Sequence, residues 1–294
     1  MSFREYLVAQ QQLIDRELER LVPSEGIPPQ TIHRAMRYSL FAGGKRVRPV
    51  LCMEAARAVT EAPDGIETAA CALEFVHTYS LVHDDLPALD NDDYRRGKLT
   101  SHKVFGEAMA ILAGDALLTL AFETLASMNS VSDRRKTQII AELATAAGTV
   151  GGMIAGQVAD LEGEGKEPDP HLLESIHRAK TGALLRASVR MGAIYAGADG
   201  GQLDAISRYG QHIGLAFQII DDILDVEQSS ESLGKTAGKD AQQHKITFPA
   251  VYGLEESRGM AERERVSAHE SIAMLGTRAE RLRELADLIV QRKS

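Results

Sequence analysis

Tryptophan is absent from this sequence, cysteine occurs only at Cys52 and Cys71, and aromatic residues make up 5% of its 294 positions. Two cysteines exclude a disulfide scaffold and a cysteine-rich zinc site; they suit small core residues in a reducing compartment. Positive charge is in deficit. Lys and Arg number 33 against 42 Asp and Glu, a net charge of -9, whereas a nucleic-acid binder carries a basic excess. Apolar runs stay short of the roughly 18 residues that a membrane helix needs, so no span is expected. The start, Met1-Ser2-Phe3-Arg4-Glu5-Tyr6, has no apolar stretch of the secretory kind, so a cytoplasmic protein is expected.

Proline is scarce too, and its placement is informative. The nine prolines leave the tracts 88–167 and 171–248 free of it. Both tracts are rich in Ala, Leu, Glu, Gln and Met, strong helix formers, and alternating β-branched runs are missing. The pattern predicts helices near 2–22, 29–43, 49–60, 64–86, 104–128, 133–162, 171–197, 202–228, 248–258 and 260–291, the last broken near Gly276. Several are apolar on most of their circumference, as buried helices of a large bundle are. No linker divides the chain. The expectation is one all-α domain over residues 1–294. Gly148, Gly152 and Gly156 recur every four positions. Each glycine costs about 1 kcal/mol inside a helix, so close helix packing or a low wall beside a cavity is expected there.

Two acidic clusters stand out. Asp84-Asp85-Leu86-Pro87-Ala88-Leu89-Asp90-Asn91-Asp92-Asp93 closes an apolar helix, where negative charge opposes the helix dipole and invites a cation. In an unbroken helix Asp84 and Asp90 would point about 240° apart. Pro87 breaks the helix and lets Asp90 swing back toward Asp84. The second cluster is Asp221-Asp222-Ile223-Leu224-Asp225. Asp221 and Asp225 share a helix face with Gln218 and Gly214, amid isoleucine and leucine that make unneutralised carboxylates costly. Aspartates without His or Cys partners are hard oxygen donors. They suit Mg²⁺, which keeps waters and takes phosphate oxygens beside one or two carboxylates.

An acidic protein that binds phosphates must concentrate its cations. Gly43-Gly44-Lys45-Arg46-Val47-Arg48-Pro49 sets three in four residues before a helix start, where anions are favoured. Arg95-Arg96 follows the first aspartates, Lys180-Thr181 lies in a helix, and Lys235 and Lys239 follow the second aspartates in a glycine-punctuated loop. His77 precedes Asp84 by seven residues, on nearly the same face.

Asp-Asp-x4-Asp followed by Arg-Arg-Gly, a later Asp-Asp-Ile-Leu-Asp, and Gly-Lys-Arg-Val-Arg-Pro together resemble the trans-prenyltransferases, the short-chain isoprenyl diphosphate synthases. The likeness runs in order from about residue 30 to 255, and within the family it is greatest to members making farnesyl diphosphate. It implies an all-α bundle around a deep cavity and a homodimer. It implies that Asp84 and Asp90, supported by Asp85, bind two Mg²⁺ ions and that Asp221, supported by Asp225, binds a third, with Mn²⁺ able to substitute. The allylic diphosphate would meet Arg95, Lys180 and Lys235. Isopentenyl diphosphate would meet Gly44, Lys45, Arg48, His77 and Arg96. Thr181 and Gln218 would stand by the reacting carbons, Lys239 and Asp240 would help close the loop 230–245, and Gln157 with Asp160 matches a further family feature. Tyr79 and Ser80 would form the cavity floor; an aromatic residue at Tyr79 goes with a fifteen-carbon product. Twenty- and ten-carbon products remain alternatives. A terpene cyclase would want more aromatic rings to steer its cation and no second diphosphate site. A non-catalytic helical subunit would be expected to have lost an aspartate motif.

Overall fold

The computed structural model describes residues 2–165, 169–227 and 246–292. They are almost wholly helical and fall into two compact units, residues 1–50 with 65–132 and residues 51–64 with 133–294.

In the first unit α1 (Phe3–Leu21) opens on a capping box, Ser2 and Glu5 satisfying one another's backbone amides, and turns Ile14 and Leu18 inward. α2 (Gln30–Leu40) follows; α3 (Val47–Val59) is divided between the units. α4 (Ile66–Asp84) is apolar on nearly every side, and packing against α1, α2 and α6 accounts for that. A two-stranded hairpin, Tyr94–Arg95 (β1) with Lys98–Leu99 (β2), turns through Arg96 and Gly97, both at positive φ. The composition gave no sign of it. Tyr38 on α2 holds it by donating to the Leu99 carbonyl at 2.7 Å. The helix expected over 104–128 is two, α5 (Ser101–Phe105) and α6 (Glu107–Ala126), because Gly106 between them takes φ 85°. α6 is the one described helix long and apolar enough to cross a membrane by length and composition, with mean hydropathy 1.6. It leaves Ile111 and Leu112 exposed.

In the second unit the helix expected over 133–162 is likewise two, α7 (Asp133–Ala147) and α8 (Met153–Gly163). Residues 148–152 are bends, so Gly148 and Gly152 serve a break rather than a helix face. Gly156 does allow close packing: a Cβ there would lie 2.1 Å from the Lys180 amide nitrogen. α9 (Pro170–His177) leads through a π-helical turn, Arg178–Gly182, into α10 (Ala183–Ala196). Gly192 lets α10 lie against residues of α3, for its Cβ would fall 1.9 Å from the Cys52 carbonyl oxygen. α11 (Gly200–Glu227) is the spine of the unit. Its Leu215, Ile219 and Ile223 share a cluster with Leu173 and Phe248, each such burial contributing about 1.5–3 kcal/mol. α12 (Phe248–Tyr252) and α13 (Leu254–Ser271) part at Gly253, φ 80°. The chain breaks again at Gly276, as expected, before α14 (Glu280–Gln291).

Candidate active site

The first acidic cluster folds as its spacing requires. α4 stops at Asp84, and the chain beyond Pro87 doubles back, so that the Asp90 amide donates to the Asp84 carbonyl at 2.8 Å and the Asp92 amide to the Asp85 carbonyl at 3.2 Å. Backbone hydrogen bonds thus set Asp90 beside Asp84, both half-buried. Asp85 turns inward. One of its oxygens accepts Nε and Nη2 of Arg95, at 2.7 and 2.6 Å. Burial raises its pKa against the pull of that arginine. Arg95 therefore enters the site already neutralised, with Asp92 3.6 Å away.

The cations of residues 45–48 separate into two groups. Arg46, at φ 50°, is buried: it donates to Glu74 at 2.7 Å, to Asp15 at 2.9 Å and to the Leu40 carbonyl at 2.9 Å. It is a core ion pair, whereas Lys45 is exposed and Arg48 half-buried. Arg96 donates to the Gly43 carbonyl, and the bare Cα of Gly44 (φ 143°) makes room for its guanidinium. Burial lowers the Arg96 pKa.

His77 lies among these cations. Burial first, then Arg48, Arg96, Arg95 and Arg46, push its pKa well below the ordinary value, so the imidazole is neutral. The unfolded chain, with a histidine pKa of about 6.5, binds the extra proton where the folded chain refuses it. This contribution to stability is complete above pH ~6.5 and is lost as pH falls through the lowered folded value, by up to about 1.4 kcal/mol per pH unit. Urea denaturation from pH 7.5 down to 5.5 should therefore show a steeper loss for the parent than for His77→Gln; parallel losses would refute the assignment.

Beside His77, Ser80 is half-buried and Tyr79 buried. The Tyr79 ring meets His83 edge-on at 5.5 Å, and His83 in turn contacts the Ile111 carbonyl on α6 at 3.0 Å.

In the second unit the π-helical turn carries Lys180 and Thr181. Such turns widen the helix by one residue and recur at functional sites. Lys180 Nζ lies 2.5 Å from Asp160, one helical turn from Gln157 on α8. Thr181 donates to the Gln218 side-chain carbonyl at 2.8 Å, and Gln218 donates to Asp222 at 2.9 Å. Asp222 accepts the Phe248 amide at 2.9 Å with its other oxygen. His177 stacks on Phe248 and comes within 3.4 Å of Asp222. Sequence reasoning left Asp222 and His177 without a role; the one available signal was a carboxylate amid isoleucine and leucine. Asp221, half-buried, is met by Arg292 at 2.7 Å, and nothing in the sequence links those two. Lys235, Lys239, Asp240 and the loop 230–245 lie outside the described residues, save that 246 onward is described.

The donors fit a divalent cation. Asp225 is buried, and its Oδ1 has no hydrogen-bond partner among the described residues. A buried anionic oxygen left so calls for a cation. Among the described residues no three His, Cys, Asp or Glu side chains form a ready cluster. An all-protein cage is not what such carboxylates offer; they suit an ion whose coordination is completed by water and phosphate.

The sequence model of the polyprenyl synthetase family matches residues 29–286. The heterodimeric geranylgeranyl pyrophosphate synthase large subunit 1, chloroplastic, of Arabidopsis thaliana is 50% identical over 268 residues, 89% of this chain and 71% of that protein. A dimethylallyltranstransferase of Fischerella ambigua (strain UTEX 1903) is 47% identical over 290 residues, 98% of this chain and 83% of its own. The apo structure of an FPP/GFPP synthase from Zymomonas mobilis matches with a TM-score of 0.87 at 34% identity, covering 98% of each chain.

Proposed function

Because the chain belongs to the polyprenyl synthetase family, and so is a short-chain prenyl-transferring enzyme acting on prenyl diphosphates, we propose that it condenses isopentenyl diphosphate with dimethylallyl and then geranyl diphosphate to give farnesyl diphosphate. The observation that carries this reading is the backbone hydrogen bond of 2.8 Å from the Asp90 amide to the Asp84 carbonyl, which sets these two half-buried residues side by side at a helix end. Asp84 and Asp90 would hold two Mg²⁺ ions, with Asp85 holding Arg95 behind them. Asp221 would hold a third, with Asp225 beside it. Divalent ions belong to the family's chemistry; bound here, they would draw charge onto the leaving diphosphate.

Each protein group has a task that suits its chemistry. Arg95, Lys180 and Lys235 receive the allylic diphosphate. Lys180 would exchange Asp160 for phosphate oxygen, a gain in charge. Lys45, Arg48 and Arg96 receive isopentenyl diphosphate, and neutral His77 adds a hydrogen-bonding group without adding repulsion among the cations. Thr181 and Gln218, already bonded to one another, present fixed dipoles to the positive charge that develops on carbon. The double bond of isopentenyl diphosphate then attacks, a proton leaves, and the chain is five carbons longer. Water excluded from the cavity cannot quench the cation. The exposed apolar Ile111 and Leu112 on α6 support a homodimer, and the two buried cysteines support a cytoplasmic setting.

The twenty-carbon product is the second reading, favoured by the geranylgeranyl name of the Arabidopsis relative. Mass analysis of the product made from dimethylallyl and isopentenyl diphosphates with Mg²⁺ separates the two: fifteen carbons is the expected result. Tyr79→Ala should shift the main product to twenty carbons or beyond. If its products are no longer than the parent's, Tyr79 is not the stop.

A further inference from the structure

The second unit holds a recess of about 530 Å³ that includes neither Lys180 nor Thr181 in its walls. It lies on another face of the π-helical turn, between that turn, α9, α10 and α11. Ala179, Ala183 and Leu215 are its small or apolar wall side chains; apart from two glycines the others are polar or charged, among them Arg178, its partner Glu174, and Arg186. The volume is that of a small-molecule site, and the mixed lining suits a ligand with a polar head and a short apolar part.

The two arginines differ. Arg178 is neutralised by Glu174 at 2.5 Å. Arg186 has no carboxylate partner among the described residues, and its buried Nε has no hydrogen-bond partner there. A guanidinium donor buried without an acceptor is costly until a ligand supplies one. Its position is built rather than incidental. Gly210 on α11 has no side chain, and a Cβ there would come 2.9 Å from the Arg186 Cα and 3.2 Å from its Cγ. The backbone and stem of Arg186 are thus seated against α11, with the head at the recess. Gly214, whose Cβ would lie 2.9 Å from the Gly182 Cα, lets α11 close on the π-helical turn in the same way.

We propose that this recess is a second ligand site, separate from the condensation site, for a small amphiphilic anion. A phosphate or carboxylate head accepts from Arg186 in the forked geometry that arginine favours, and a short hydrocarbon part lies on Ala179, Ala183 and Leu215. Because the same five-residue turn carries Lys180 on its other side, an occupant sits within one helical turn of the condensation machinery.

The test is calorimetric titration of the full-length protein with hexyl phosphate, in chelator so that no divalent ion recruits the probe to the aspartates. Three proteins are compared: the parent, Arg186→Gln, and Ser175→Trp, in which an exposed residue of the recess wall is enlarged to fill it while Arg186 stays. The parent should show saturable binding weakened at least tenfold by each substitution, and inorganic phosphate should bind at least tenfold more weakly than hexyl phosphate. No saturable binding, equal affinity in all three proteins, or inorganic phosphate binding as tightly as hexyl phosphate would overturn the proposal.

Discussion

Arg46→Met is expected to destabilise the protein by about 3–5 kcal/mol, the range for removing one partner of a buried ion pair. Arg46 is 4% exposed and Glu74 2%. Their contact is 2.7 Å, and Arg46 also satisfies Asp15 and the Leu40 carbonyl. Burial alone would lower the arginine's pKa, but Glu74 and Asp15 carry it upward. Methionine leaves the Glu74 carboxylate in the interior with its arginine gone. The second variant decides the interpretation. Arg46→Met with Glu74→Leu removes both charges, so most of the loss should return, because a well-packed apolar pair can match a buried ion pair. Urea denaturation of both variants gives the comparison. A loss below about 1 kcal/mol in the single variant, or no recovery in the double, would show that Arg46 is not a core ion pair. Activity per folded molecule should change little, in contrast to substitution of Lys45 or Arg48.

The second large effect concerns the two carboxylates proposed to hold metal. Asp84→Asn and Asp221→Asn should each lower kcat by about 10²–10³-fold, the size of effect seen when one stabiliser of developing charge is lost. Both keep the side-chain shape while removing the charge and turning one acceptor oxygen into a donor. Asp221 is 44% exposed at its side chain, so stability should hardly change. If the two aspartates serve one departing diphosphate, the double variant will lose far less than the product of the single losses, because groups acting as a unit are strongly non-additive. Single-turnover assays with geranyl and isopentenyl diphosphates would read this. Simple multiplication of the two losses would mean that the aspartates act independently, and the reading of a shared leaving group would fail.

The helical class and most element positions were legible because they depend on local facts: helix-forming composition, proline placement and apolar periodicity. The doubling back at Pro87 was legible too, since a missing amide and six acidic or amide side chains in ten residues leave the chain few choices. What escaped depends on partners distant in sequence. Arg46 reads as one more cation in a basic run; its burial is decided by Glu74, 28 residues on. The breaks at Gly106 and at 148–152 were missed because glycine in a helix-rich tract carries the same letter whether it packs or turns. The π-helical turn at Arg178–Gly182 has no compositional mark, yet it places Lys180 on Gly156 and Asp160. Asp222 and Asp225 look equivalent within their motif. The fold separates them: Asp222 is spent on Gln218 and Phe248, whereas Asp225 keeps an unsatisfied oxygen.

That separation has a topological corollary. The Asp222 carboxylate and the Phe248 amide, 26 positions apart, are stitched by a bond of 2.9 Å. The two ends are therefore tied together whatever sequence lies between them. Doubling the number of residues between these two anchors would add only about 0.6 kcal/mol of closure entropy. The size and composition of that stretch can then drift, or be engineered, without unseating the Phe248 ring from the core that supports α11.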